Sequence, residues 1–128
     1  MRHAALAVAL ASSASVAAAV GVNGDAARGE QLYTRCLACH ALAHDRVGPR
    51  HCGLLGRRAG SVPGFEYSAA MKKSGIVWTA KTLDRFLADP PHRVTGTTMT
   101  YAGVADPKER ADLIAYLRRA NDSSECRE

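Results

Sequence analysis

No stretch of this 128-residue chain holds the roughly 20 consecutive apolar residues that a membrane-spanning helix requires. Nor is there a dense basic run or a pattern of aromatic residues set among basic ones, so the formal charge of +5 does not point to nucleic acid. It suits brief encounters with an acidic partner instead. Sustained alternation of apolar and polar residues, internal repeats and domain linkers are also missing, which leaves one small all-α domain as the fold class. The most consequential shortage is of large side chains. Over residues 20–128, Leu, Ile, Val and Phe fall below the roughly one-fifth at which a polypeptide alone struggles to make a core. Something other than side chains must fill the interior.

What is present supplies that filling. Cys36-Leu37-Ala38-Cys39-His40 is the C-x-x-C-H pattern in which a haem is covalently attached. Two thiols at this spacing can add to the two vinyl groups of one porphyrin, and the imidazole immediately beyond them can reach the iron. C-x-x-C is also half of a tetrahedral zinc site, and the alternative would need two more ligands. Cys52, His51 and Cys126 are available, but they form no second closely spaced pair. A single motif implies a single haem c, whose burial would complete the lean core; without it the chain should be largely unfolded.

The first nineteen residues read as a secretory signal: Arg2 at the charged start, an apolar stretch from Ala4 to Ala11, and small residues ending Ala17-Ala18-Ala19. Cleavage after Ala19 would leave 20–128 as the working domain, in a bacterial periplasm; an uncleaved anchor tethering the same domain is the alternative. Asp25 is an N-cap for a first helix carrying Gly29, Leu32, Tyr33 and Cys36 at helical spacing, so the haem should hang from that helix's end. Residues 41–65, rich in Gly and Pro, read as a long loop wrapped on the flat cofactor. A short helix is expected over Ser68–Lys73, ended at Ser74-Gly75. Another starts at Thr79, carries Leu83, Phe86 and Leu87, and stops at Asp89-Pro90-Pro91. A last one begins at Asp106-Pro107 with Leu113, Ile114 and Leu117 on its apolar stripe.

The ligand opposite His40 decides between electron transfer and chemistry at an open iron. Only Met71 and Met99 follow residue 19. Met99 lies in an irregular stretch after two prolines, where a side chain can be aimed inward, and is the expected axial ligand. Met71 reads as core filling.

Further residues carry a resemblance over nearly the whole of 20–128: Val47-Gly48-Pro49, Gly56-Arg57, Pro63-Gly64-Phe65-x-Tyr67-Ser68, Gly75-Ile76-x-Trp78, Gly96-Thr97-x-Met99, Tyr101-Ala102-Gly103 and Asp112-Leu113-Ile114-Ala115-Tyr116-Leu117. With the attachment motif they resemble the class I cytochrome c family, the group of mitochondrial cytochrome c and its bacterial periplasmic relatives. The resemblance implies four to five helices and long loops around one covalent haem. It implies that the Pro49 carbonyl orients His40 and that Arg57, Tyr67 and Trp78 serve a buried haem propionate. It also implies that Gly29 lets the first and last helices cross closely beside Tyr116. His44, His51 and His92 have no such role and read as exposed or locally hydrogen-bonded.

The chain also departs from that family. The loop from His40 to Gly48 is shorter than in mitochondrial members. Phe86 stands where many members have a tyrosine bonded to the methionine sulfur, and Pro91, His92 and Thr98 thin the usual lysine ring. With Cys36 and Cys39 taken by haem, Cys52 and Cys126 remain, and an oxidising compartment favours a disulfide between them, worth about 4 kcal/mol. The alternative is one buried and one reactive thiol. The expected function is single-electron carriage without substrate turnover. Partners would be a cytochrome bc-type complex, a terminal oxidase, a photosynthetic reaction centre or a periplasmic dehydrogenase, met transiently by a monomer. Alternatives are a small haem peroxidase or ligand-binding haem protein with a displaceable Met99, or a dedicated electron-accepting subunit of one dehydrogenase.

Overall fold

A computed structural model describes residues 23–127; the signal-like segment and its cleavage point lie outside them. Five α-helices follow one another: α1 Ala26–Tyr33, α2 Ala69–Lys73, α3 Ala80–Ala88, α4 Pro90–Arg93 and α5 Pro107–Asn121. Single 3-10 turns extend α1 over Thr34–Cys36 and follow α5 at Ser124–Cys126. The described residues contain no strand, only an isolated bridge between Arg58 and Val77. No helix among them is long and apolar enough to cross a membrane.

The helix starts are where the capping residues put them. Asp25 accepts from the Ala27 and Arg28 amides, Ser68 from Met71, Thr79 from Thr82 in a reciprocal capping box, and Asp106 from Lys108 ahead of Pro107. One expectation needs correcting at Asp89-Pro90-Pro91. The prolines end α3 but also begin α4, because their fixed φ and missing N–H suit the first turn of a helix.

The frame is the crossing of α1 over α5, with α3 also packed on α5. A Cβ on Gly29 would lie 1.9 Å from the Asp112 carbonyl oxygen and 2.7 Å from the Tyr116 Cβ, so only glycine permits this approach. The fully buried Asp112 ties the crossing electrostatically. Its carboxylate accepts the Asp25 amide at 2.7 Å and meets Lys108 at 3.3 Å and Arg28 at 3.4 Å. Tyr33, Leu83, Phe86, Leu87, Leu113, Ile114 and Leu117 fill the space behind it, and Met71 joins them from α2. The frame thereby presents the end of α1 to the long loop.

Candidate functional site

The attachment motif begins in the 3-10 turn that ends α1, where the Cys39 and His40 amides both donate to the Cys36 carbonyl, at 3.0 and 2.9 Å. That tight winding puts two thiols and an imidazole within one turn of chain. Cys36 is half-buried, and burial pushes its thiol up to about 11 despite the opposing charge of Arg35; Cys39 is exposed. Both are unpaired thiols.

His40 is buried, and its Nδ1 bonds the Pro49 carbonyl at 2.8 Å. The bond assigns the proton to Nδ1 and leaves Nε2 with its lone pair free, as an iron ligand needs. Burial also holds the imidazole below its ordinary pKa, against the effect of the Pro49 bond, so the neutral form is favoured. A Cβ on Gly48 would lie 2.2 Å from the His40 ring, so the ring is seated directly on backbone. Gly48 also donates to the Cys39 carbonyl at 2.7 Å, closing the turn over the motif.

A second cluster forms where residues 56–59 run beside 76–78. Gly56 donates to the Trp78 carbonyl at 2.7 Å and Trp78 to the Arg57 carbonyl at 2.9 Å, which brings these two residues to one place. Arg57 donates to the Cys52 carbonyl at 3.0 Å and the Arg50 carbonyl at 2.9 Å, while its buried Nε has no partner. Burial lowers its pKa, and the neighbouring Tyr67 counteracts this. The Tyr67 hydroxyl accepts from the Val62 amide at 3.2 Å, so its own proton is free for another acceptor. Trp78 is buried, with Phe86 tilted against it at 5.0 Å. A guanidinium with a buried unpartnered N–H beside a phenol able to donate is the donor set a buried carboxylate calls for.

Met99 is half-buried at the edge of the core, its amide bonded to the Thr97 hydroxyl at 3.2 Å. The stretch it occupies is irregular. Pro91, His92 and Thr98 are all exposed, and His92 bonds the Asp89 carboxylate at 2.9 Å. His44 is exposed as well.

His51 requires a correction. Its ring stacks on His40 with centroids 4.2 Å apart and planes 23° from parallel, and its Nδ1 shares a 2.9 Å hydrogen bond with the Tyr33 hydroxyl. The backbone puts it there: after the Gly48-Pro49 turn the His51 amide donates to the Ala41 and Leu42 carbonyls, both at 3.1 Å, which pairs residue 51 with the chain immediately after His40. Burial, His40 and Arg57 together hold His51 well below the ordinary histidine pKa.

Cys52 and Cys126 are joined in a disulfide with Cα atoms 5.2 Å apart. Asn121 on α5 reinforces the link by accepting the Gly53 amide. The free cysteines, the Nε2 of His40 and the unpartnered Arg57 Nε therefore fit a covalent haem rather than zinc. Among the described residues no group of three or more His, Cys, Asp and Glu side chains is arranged to hold a metal ion.

Comparison with known proteins agrees with this geometry. A family model described as cytochrome c matches residues 26–121. The chain is 45% identical over 112 residues to cytochrome c2 of Blastochloris viridis, covering 85% of this chain and 87% of that protein. It is 46% identical over 101 residues to cytochrome c2 of Agrobacterium tumefaciens, covering 74% and 91%. Among solved structures it is similar to cytochrome cH from Methylobacterium extorquens, with a TM-score of 0.73 and 44% identity, covering 75% of this chain and 99% of that one.

Proposed function

Because the chain belongs to the class I cytochrome c family and carries one covalent haem c, we propose that it is a periplasmic electron carrier with His40 and Met99 as its axial ligands. As a member of that family it moves electrons and is not an enzyme. The observation that carries the ligand reading is the 2.8 Å bond from Nδ1 of His40 to the Pro49 carbonyl within the C-x-x-C-H turn, which leaves Nε2 available. When bound, the haem supplies a one-electron couple at an iron held from both sides.

The chain's own residues do the rest. Cys36 and Cys39 form the two thioethers. His40, seated on Gly48, would bind the iron through Nε2, and Met99 would supply the second protein ligand. Arg57, Tyr67 and Trp78 would hold a propionate out of water, with the Arg57 Nε as a free donor for it. Cys39 is exposed, so electron transfer would take place on its side of the molecule. Around it Leu37 is 43% exposed and Val47 79% exposed, an apolar rim bordered by Arg46, with Arg35 nearby already paired to Glu109 at 2.8 Å, on which an acidic redox partner can dock briefly. That partner is a membrane complex of the bc, terminal oxidase or reaction-centre type, or a periplasmic dehydrogenase. Residues 1–19 are the export signal, and 20–128 the mature cytochrome c domain.

The test is spectroscopic. The oxidised holoprotein should be low-spin with the weak far-red band of methionine-bound iron, and Met99→Leu should lose that band. A high-spin wild-type spectrum would instead indicate a ligand-binding or peroxidatic haem protein.

A further inference from the structure

Three features around the haem ligands are not used by the reading above. They are the His51 ring lying flat on His40, the hydroxyl of Tyr33 fastened to His51, and the disulfide that fixes the adjacent Cys52. We propose that Tyr33 and His51 act as a coupled positioning pair for the axial imidazole, setting the rotation of the His40 ring and, through it, the redox equilibrium of the iron. The proposal rests on His40 being the ligand.

The His40 ring has one hydrogen bond, to Pro49, and that bond fixes Nδ1 as a single point. A ring held at one point and bonded to iron at another can still turn about the line between them. A flat neighbour 4.2 Å away with planes 23° apart removes that freedom, since turning His40 would drive its edge into the His51 face. The neighbour must itself be held. Tyr33 does this from α1, with its hydroxyl 2.9 Å from Nδ1 of His51, while the same Tyr33 ring packs on Tyr116 of α5 at 5.0 Å. Cys52 is anchored to Cys126, and its carbonyl accepts from Arg57. His51 is thus braced from both the helix crossing and the loop, which a ring serving only as core filling would not need.

The ring's chemistry matters as well as its shape. A polar, polarisable ring against the ligand stabilises the more positively charged oxidised state relative to an aliphatic one. Replacing His51 by Leu should therefore favour the reduced form. Phe at the same position should keep the flat face and lose the hydrogen bond.

The experiment uses holoprotein variants His51→Leu, His51→Phe, Tyr33→Phe and the double variant Tyr33→Phe/His51→Leu. The wild-type spectrum is recorded first, because a high-spin spectrum would remove the ligand reading itself. With low-spin iron in place, His51→Leu should lower the oxidised-to-reduced ratio about threefold in a fixed redox buffer. Tyr33→Phe should shift it less and in the same direction. The double variant should shift no further than His51→Leu alone, the signature of residues acting as one unit. The paramagnetic shifts of the haem methyl protons, which report the plane of the axial imidazole, should be rearranged most in His51→Leu and less in His51→Phe and Tyr33→Phe, which keep the flat face and lose the hydrogen bond. If His51→Leu does not mature, Tyr33→Phe and His51→Phe still decide. An unchanged ratio with unchanged methyl shifts in the matured variants, or strictly additive effects in the double variant, overturns the proposal.

Discussion

At the scale of single residues the site is governed by which polar atoms have partners. Arg57 spends two of its donors on the Arg50 and Cys52 carbonyls and keeps a buried Nε in reserve. If that reserve serves a propionate, Arg57→Met strips the carboxylate of its charged donor and leaves two backbone carbonyls unsatisfied. The holoprotein should lose about 3 kcal/mol, measured as a lower denaturant midpoint, with the far-red band retained. Met99 predicts the opposite pattern. Met99→Leu should cost the far-red band and lower the reduction potential on the order of 0.1 V, because a thioether favours reduced iron and nothing replaces it. Potentiometric titration measures the shift, and the two variants together separate burial of the propionate from ligation of the metal.

Between residue and molecule stands the crossing of α1 and α5, built on an absent side chain and a buried charge. Gly29→Ala would place a methyl 1.9 Å from the Asp112 carbonyl oxygen, so the helices must part. The expected cost is about 3 kcal/mol, read as a lower melting temperature of the holoprotein. Asp112 makes the same crossing sensitive to acid. The Asp25 amide first, and then Lys108 and Arg28, hold its carboxyl below the ordinary value of 3.8 against the effect of desolvation. Because the folded value lies below the unfolded one, this stabilisation is complete above about pH 4 and is lost as pH falls through the folded value. Denaturant midpoints measured across that range should show wild type more stable than Asp112→Asn near neutrality, and the gap should close on acidification. These elements were legible in the sequence because their signals are local. Asp25, Ser68, Thr79 and Asp106-Pro107 each cap within a few residues, and the attachment motif is a contiguous pentapeptide. The turn α4 was missed because proline both ends and begins helices. The stacking of His51 on His40 was missed because it depends on the path of the Gly48-Pro49 turn. No periodicity in the loop encodes that path.

The whole molecule answers the shortage of large apolar side chains with covalent links. Its protein core gathers around the α1, α3 and α5 contacts with Met71, Ile76, Trp78 and Val94 added, while the loop from residue 41 to residue 65 contributes few large apolar residues, among them Leu42, Leu54 and Val62. Two kinds of crosslink hold that loop to the frame. The thioethers would fasten the haem to the end of α1 on one side, and Cys52–Cys126 fastens the loop to the segment beyond α5 on the other. They act on different states. The haem's contribution comes mainly from burial in the folded protein, so its loss should unfold the chain, with circular dichroism of an apoprotein lacking Cys36 and Cys39 showing little helix. The disulfide, spanning 74 residues, chiefly restricts the unfolded chain and should be worth about 4 kcal/mol. Cys126→Ser should therefore lower the denaturant midpoint of the holoprotein strongly while leaving the far-red band in place, since Met99 lies outside the segments the disulfide joins. Loss of the band together with the stability would mean that the link also sustains ligation. That outcome would extend the bracing of the His40 side to the opposite axial position.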